Sequence, residues 1–212
     1  MDSDLYRDIL GFAHDTPEWF QFLAEVWTEL GLLVFAALFI AGWWRARTLP
    51  SGAMAAAVLA PLGTGVAYVC SEALKSLVDE DRPCRAVARA AAPLVSCPPV
   101  GDWSFPSNHS TIAGAAAVGL ALAWPRLAWF TVPMALLMAL SRVFVGVHYP
   151  HDVAAGLLLG ALVSLVFVRL GRRPMTRLVD ALRGAEAGLP RWLSGTGADD
   201  LVTGAGVGRH RR

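Results

Sequence analysis

The stretch SRVFVGVHYPHD, residues 141–152, separates two apolar runs and carries an arginine, two histidines and an aspartate. On either side, residues 127–141 and residues 153–168 contain no charged side chain. Two uncharged runs joined by a short polar segment predict two helices of a membrane bundle, with titratable groups gathered where the helices meet. The segment that joins the two helices is therefore also expected to contain functional residues.

The composition points to one integral membrane domain. Of 212 residues, 55% are hydrophobic and 17% are charged, and the mean hydropathy is +0.49. A chain of this composition has too little polar surface for a soluble domain. The composition also gives no indication of a nucleic-acid partner. We predict an all-α, polytopic membrane helix bundle with five spans: residues 31–44, 53–71, 110–125, 127–141 and 153–168. Several are shorter than the roughly 20 residues that cross a bilayer, but mildly polar flanks extend each to about that length.

The same pattern divides the chain into three parts. Residues 1–26 form an N-terminal amphipathic segment that is expected to lie at the membrane interface, with a sixth, poor span as the alternative. Residues 27–171 form the membrane-embedded domain. Residues 172–212 form a glycine-rich tail that is expected to be largely disordered.

Basic residues near the span ends predict the orientation. If the spans alternate, the arginines after the first, third and fifth spans share one side, which is expected to be cytoplasmic and to hold the C-terminus: Arg45, Arg47, Arg126, Arg169, Arg172, Arg173 and Arg177. The opposite, extracytoplasmic side keeps five basic residues against this bias: Lys75, Arg82, Arg85, Arg89 and Arg142. An anionic ligand, in contact with membrane lipids, is the simplest reason.

Three of the basic residues, Lys75, Arg82 and Arg142, belong to a set of three ordered sequence blocks. Residues 75–83 read KSLVDEDRP, residues 105–110 read FPSNHS, and residues 141–152 are the stretch quoted above. Together they resemble the signature of the type 2 phosphatidic acid phosphatase (PAP2) superfamily, which is K-x6-R-P, then P-S-G-H, then S-R-x5-H-x3-D. Within that superfamily the chain looks most like bacterial membrane phosphatases of undecaprenyl diphosphate.

Local geometry supports part of this chemistry without the resemblance. Pro150 favours a helix start and an extended residue before it, so His148 is expected on a loop and Asp152 in the first helical turn. The carboxylate can then fix the imidazole tautomer and leave the other ring nitrogen free to act as a nucleophile. Pro106 similarly precedes a helix start whose backbone amides can face an anion.

The resemblance implies a role for each motif residue. His148 would attack phosphorus, Asp152 would orient it, and His109 would protonate the leaving oxygen. The phosphoryl group would be held by cationic side chains, by a hydroxyl and by backbone amides, in the residues Lys75, Arg82, Ser107, Asn108 and Arg142. No metal and no other cofactor is expected.

Asn108 departs from the glycine of the signature. A polar residue at this position resembles the bacterial undecaprenyl-diphosphate phosphatases, and this resemblance implies a polyprenyl diphosphate among lipid phosphate substrates. Phosphatidic acid, phosphatidylglycerol phosphate and a prenyl-phosphoryl sugar phosphate stay open as substrates. A non-catalytic protein that binds or translocates a lipid phosphate is a further alternative. The sequence leaves the oligomeric state undetermined.

Some residues near the motifs receive no catalytic role. Glu72 and His151 match no signature position, and Gly156 and Gly160 are expected to pack the fifth span against its neighbours. Two cysteines, Cys84 and Cys97, share the long extracytoplasmic connection, where an oxidising compartment would allow a disulfide. The sequence does not decide whether they pair.

Overall fold

The computed structural model describes residues 2–184 and 188–197, and within these ranges the regular structure is entirely helical. Eight α-helices follow in chain order: α1 Asp2–Asp15, α2 Glu18–Ala46, α3 Ser51–Lys75, α4 Pro83–Ala86, α5 Asn108–Ala123, α6 Ala128–Phe144, α7 Pro150–Arg183 and α8 Leu189–Ser194. A single 3₁₀ turn, Pro125–Leu127, leads into α6. The predicted all-α class is therefore confirmed.

Each of the five predicted spans lies largely within a helix. In the described part of the chain, four segments are long and apolar enough to cross a bilayer: Glu18–Ala46, Ser51–Lys75, Pro125–Phe144 and Pro150–Arg183. The remaining one, α5, has 16 residues, so it extends only about 24 Å. It packs against α2, α3, α6 and α7. Its neighbours, rather than lipid, therefore enclose much of this short helix.

Glycines allow the closest packing in the bundle, between α5 and α7. A Cβ at residue 156 would stand 2.6 Å from the Ser107 carbonyl oxygen, and one at residue 114 would stand 3.1 Å from the Cα of Leu157. A side chain at either position would force the two backbones apart. The packing role expected for Gly156 agrees with this geometry.

The N-terminal segment differs from the expectation in its helical boundaries. The apolar helix α2 begins at Glu18, well before the predicted span at residue 31, because nothing between them breaks a helix. The separate α1 covers one end of the bundle, where the Tyr6 hydroxyl donates to the Gly146 carbonyl at 2.9 Å. Burial, and then the neighbouring Tyr149, raise the pKa of Tyr6 to about 12. Whether the segment lies at a membrane interface stays a prediction.

At the other boundary, residues 172–183 continue α7 and are not disordered. Arg183 fixes this extension, because its guanidinium donates to the Leu49 carbonyl at 2.8 Å and to the Ser194 carbonyl at 3.0 Å. Within the predicted tail, residues 188–197 are also described and include α8, whereas residues 185–187 and 198–212 lie outside the described residues. The division into three domains stays a prediction.

Candidate active site

The start of α7 places His148 and Asp152 together, as predicted. Tyr149 caps the helix in an extended conformation and Pro150 is its first residue. Asp152 therefore sits in the first turn, where its Oδ2 accepts from the Tyr149 backbone N–H at 2.8 Å and lies 3.3 Å from His148 Nδ1. Both side chains are almost fully buried.

The partners of the His148 ring define its tautomer. Arg82 Nη1 lies 3.1 Å from His148 Nε2 and can only donate, so Nε2 is the nitrogen that carries the lone pair. Nδ1 then holds the proton, which faces Asp152 Oδ2 and, at 3.4 Å, Ser104 Oγ. A neutral imidazole with this tautomer has the form required of a nucleophile.

Burial, together with the positive charges of Arg82 and Arg142, lowers the pKa of His148 to about 4, against the opposing hydrogen bond with Asp152. The ring is therefore neutral at neutral pH. The ring therefore does not have to lose a proton before it attacks an electrophile.

Three buried cations surround this histidine, and their anionic partners are few. Lys75, Arg82 and Arg142 expose 6%, 3% and 6% of their surface. Lys75 Nζ and Arg82 Nη2 share one oxygen, Asp102 Oδ1, at 2.9 Å and 2.8 Å. Two of the three cations therefore depend on a single carboxylate.

Arg142 has weaker compensation. Its Nη1 donates to Thr28 Oγ1 at 2.9 Å, and the Glu29 carboxylate lies 4.0 Å away. Within the described residues, its buried Nε has no hydrogen-bond partner. A buried guanidinium with an unused donor is costly unless an anion completes its contacts. The arrangement therefore favours a bound anion.

The start of α5 contributes the second motif. Ser107 is fully buried and caps the helix, because its Oγ accepts from the Ser110 N–H at 3.5 Å. The backbone N–H of Ser107 donates to the Asp152 carbonyl at 3.2 Å, which ties the two motifs together. His109 follows in the first turn, close enough to Arg142, His148, Arg82 and Lys75 to interact with them electrostatically.

The side chain of Asn108 is held by two residues of α3. Its Oδ1 accepts from Ser71 Oγ at 2.7 Å and its Nδ2 donates to the Glu72 carboxylate, both on α3. A contribution of Asn108 to phosphate binding would therefore come from its backbone amide, as expected from the sequence. Glu72, which received no role from the sequence, anchors this side chain.

The structure thus brings the predicted residues of all three motifs to one end of the bundle. We call the cluster of Lys75, Arg82, His109, Arg142 and His148, which interact electrostatically with one another, the cationic pocket. It lies where α3 and α6 end and where α5 and α7 begin. The individual roles assigned to these residues stay predictions.

Three contributing residues escaped the sequence analysis. Asp102 and Ser104 lie just before the second motif, and Ser104 Oγ donates to Asp152 Oδ2 at 2.5 Å. Their position beside a motif was a weak signal for both. Thr28 lies in the middle of an apolar helix, 114 residues from its partner Arg142, and no sequence signal marks it.

His151 also has a definite environment. Its Nε2 lies 3.1 Å from Glu80 Oε1 and 3.2 Å from Asp152 Oδ1, and its ring stacks on Tyr149 with centroids 5.3 Å apart. One ligand atom each from Glu80, His151 and Asp152 lies within 4.8 Å of the others, a spacing that a metal ion could share. Such a group was not foreseen beside the motifs. The metal-free chemistry inferred from the sequence stays a prediction.

The long connection that covers the pocket is closed by a covalent bond. Cys84 and Cys97 form a disulfide with Cα atoms 6.0 Å apart. Arg85 donates to Cys97 Sγ at 3.6 Å and to the Pro98 carbonyl, so this arginine belongs to the connection rather than to the pocket. The pairing that the sequence left open is present in the structure.

Comparison with known proteins gives consistent results. The PAP2 superfamily pattern matches residues 56–175. The undecaprenyl-diphosphatase BcrC of Bacillus subtilis is 29% identical over 84% of this chain and 90% of that relative. The decaprenylphosphoryl-5-phosphoribose phosphatase of Mycobacterium tuberculosis is 39% identical over 54% of this chain and 60% of that relative.

A solved structure shares the fold. The crystal structure of a transmembrane PAP2-type phosphatidylglycerolphosphate phosphatase from Bacillus subtilis aligns with a TM-score of 0.58 at 24% identity, covering 78% of this chain and 83% of that one. The matched pattern spans more than half of this chain and includes all three motifs. The chain therefore belongs to the PAP2 superfamily and is an integral membrane enzyme that hydrolyses phosphoric monoesters.

Proposed function

We propose that this enzyme is a metal-independent lipid phosphate or diphosphate phosphatase that acts through a phosphohistidine. The preferred substrate would be a polyprenyl diphosphate, such as undecaprenyl or decaprenyl diphosphate, presented at the extracytoplasmic face of the membrane. The observation that carries the proposal is the neutral His148, whose unprotonated Nε2 faces Arg82 among three buried cations.

The chemistry would proceed in two displacements. His109 would bind a proton once the anionic phosphoryl group lies beside it. His148 Nε2 attacks phosphorus, a P–N bond forms, and the P–O bond to the leaving group breaks while His109 donates that proton to the departing oxygen. His109 then accepts a proton from water, which attacks phosphorus and breaks the P–N bond to release phosphate. Asp152 stays hydrogen-bonded to Nδ1 and stabilises the cationic ring during the first step.

The three buried cations would stabilise the charge that develops on the phosphoryl oxygens. Arg82 and Arg142 offer planar forks that suit phosphoryl oxygens, and Lys75 adds a point charge. Because the groups are held before substrate arrives, little reorganisation accompanies the reaction. Cationic side chains would thus take the part that a magnesium ion takes in other phosphoryl-transfer enzymes.

A hydrocarbon chain fits beside this pocket. A groove of about 310 Å³ runs between α2 and α6, with Phe20, Leu23, Leu140 and Phe144 among its lining residues. Ser141 also lines it, next to Arg142 and 3.3 Å from the Thr28 hydroxyl. A lipid could place its phosphate in the cationic pocket and its tail in the groove. The prenyl substrates named for the two relatives above support a prenyl tail.

Substrate hydrolysis can be tested with purified protein in detergent. We expect release of inorganic phosphate from prenyl diphosphates in the presence of EDTA, at a higher rate than from phosphatidic acid or phosphatidylglycerol phosphate. His148→Ala should abolish release, because the nucleophile is lost. His14→Ala, a change at an exposed histidine whose ring contacts the Ala92 carbonyl, is the matched control and should retain activity.

Three outcomes would contradict the proposal: chelator-sensitive turnover, turnover that survives His148→Ala, or no release from any prenyl substrate. Preference for a glycerolipid phosphate would support the alternative substrates and retain the chemistry.

The face of the membrane can be tested separately. In a Cys70→Ser background, a cysteine at Leu77, which is 78% exposed near the pocket, should react with an impermeant maleimide in intact cells. A cysteine at exposed Thr48, in the connection at the other end of the bundle, should react only after lysis. The reverse pattern would place the pocket on the cytoplasmic side.

A further inference from the structure

Asp102 already occupies donors that a phosphate would need. Its Oδ1 accepts from Lys75 Nζ and from Arg82 Nη2, and its backbone carbonyl accepts from Arg82 Nε at 2.8 Å. A carboxylate and a phosphoryl group present similar oxygen acceptors to an arginine fork. The same nitrogen donors cannot fully serve both anions at once. Substrate therefore meets a cationic pocket that is partly filled by the protein itself.

The carboxylate is the most exposed member of this ion-paired cluster. Its side chain is 42% exposed, whereas those of Lys75 and Arg82 are 7% and 4% exposed. It approaches the cations from the open side, next to a cavity of about 320 Å³ that is lined by Glu72, Ser76, Gly101 and Trp103 among others. Rotation of one exposed side chain into that space would free both cations.

The backbone can stay in place during such a rotation. Asp102 belongs to a turn in which its N–H donates to the Pro99 carbonyl at 3.2 Å, and Gly101 supplies the positive φ of 93° that the turn requires. The bond from Arg82 Nε goes to the backbone carbonyl of Asp102 and does not depend on the side chain. Arg82 would therefore keep one anchor when the carboxylate leaves.

We propose that Asp102 is a positioning residue that competes with phosphate inside the protein: it holds Lys75 and Arg82 together in the empty pocket, yields to the substrate, and returns as inorganic phosphate leaves. This inference rests on the proposed function, because it assumes that the cationic pocket binds the phosphoryl group. Its consequence is weaker binding of both substrate and product phosphate than the cations alone would give. Rapid release of phosphate is the benefit.

The carboxylate is charged when it competes. Burial opposes ionisation, but the hydrogen bonds from Lys75 and Arg82, together with their positive charges, outweigh it and hold the pKa of Asp102 below its ordinary value. Asp102→Asn would therefore remove a full negative charge while keeping a side chain of the same shape. Asp102→Glu would keep the charge.

The test measures inhibition by inorganic phosphate and the KM of the best lipid substrate for wild type and Asp102→Asn. We expect the inhibition constant for phosphate and the KM each to fall about tenfold, since one exposed, charge-assisted contact no longer competes. We expect kcat not to rise. Asp102→Glu should stay close to wild type. Asp81→Asn removes a charge from the exposed residue beside Arg82 and is the matched control, with an expected change of less than about twofold.

A purely structural role for Asp102 predicts that both constants change in the opposite direction. If Asp102 only held the cations in place, Asp102→Asn would raise both the inhibition constant for phosphate and the KM, which would overturn the inference. Equal changes in Asp81→Asn and Asp102→Asn would also overturn it, because they would reflect the general field and not a contact. A wild-type protein that hydrolyses no lipid phosphate would instead refute the proposed function itself.

Discussion

The two ends of the bundle use arginine in opposite ways. In the cationic pocket, Arg82 is 3% exposed, and its guanidinium contacts acceptors on Asp102, Val147 and His148. At the other end, the guanidinium of Arg47 lies over the rings of Trp44 and Trp192 at 4.7 Å and 5.0 Å. We call this the tryptophan end. One arginine is buried beside a carboxylate and a histidine, and the other stacks on aromatic rings.

The length of the connections explains the difference. At the tryptophan end, short links at residues 47–50 and 124–127 join the helices, and Arg183, which donates to the Leu49 and Ser194 carbonyls, is only partly buried. At the pocket end, residues 76–107 form one long connection that folds over the helix ends and includes the disulfide. An almost fully buried charge needs chain that covers it as well as partners beside it, and the long connection provides this cover at the pocket end. The following predictions test this contrast, from the largest effect to the smallest.

The clearest test replaces arginine by lysine at each end. Arg82→Lys should lower kcat/KM for phosphate release about 100-fold, because lysine cannot reproduce the forked contacts to Asp102 and His148. Arg47→Lys should change it less than about twofold. Steady-state rates in detergent measure both. Similar losses in the two variants would remove the functional distinction between the ends.

A second test uses pH. The folded-state pKa of His148 is depressed to about 4 from about 6.5 in the unfolded chain, so between these values the native state binds fewer protons than the unfolded state. Stability from this site is present above pH 6.5 and is lost as pH falls. Between about pH 7.5 and pH 5, the free energy of unfolding of wild type should therefore fall by about 2 kcal/mol more than that of His148→Gln.

Thermal unfolding of the two proteins in the same detergent gives this difference. Equal pH slopes for wild type and His148→Gln would show that the ring is not desolvated as the structure indicates. Because the comparison is between two proteins that differ at one residue, the titration of other groups cancels to a first approximation.

A third test concerns the packing that supports the pocket. Gly156→Ala should destabilise the protein by about 1–3 kcal/mol, since its Cβ would meet the Ser107 carbonyl at the start of α5. Gly65→Ala on α3 is the control, because a Cβ there meets nothing within 4 Å, and it should be neutral or slightly stabilising. Thermal unfolding measures both. A neutral Gly156→Ala would contradict the close approach of α5 and α7.

The smallest expected effect concerns the support of Arg142. Thr28→Val removes the hydroxyl that accepts from Arg142 Nη1, so kcat/KM should fall about fivefold, the equivalent of roughly 1 kcal/mol. Thr64→Val is the control, because that hydroxyl donates to the Ala60 carbonyl one turn earlier on its own helix. Equal rates for the two variants would show that Arg142 does not depend on α2.

Local sequence was sufficient for some of these features. The tyrosine-proline pair before Asp152 predicted a loop histidine facing a first-turn carboxylate, and the structure has this pair. Such a prediction succeeds because four residues and one helix start determine the geometry. The extension of α2 back to Glu18 was not predicted, because charged residues such as Glu25 interrupt the apolar run without breaking a helix.

The sequence by itself determined the membrane class, the helical fold and the set of motif residues, because hydropathy and motif spacing are properties of the chain. Only the tertiary structure decided which groups compensate the buried charges: Thr28 on Arg142, Ser104 on Asp152, and Asp102 on both Lys75 and Arg82. Whether two residues become partners of this kind depends on their distance in the folded structure and not on their separation in the sequence. A hydroxyl or a carboxylate that stabilises a buried charge can lie anywhere in the sequence, provided the fold brings it within hydrogen-bonding distance.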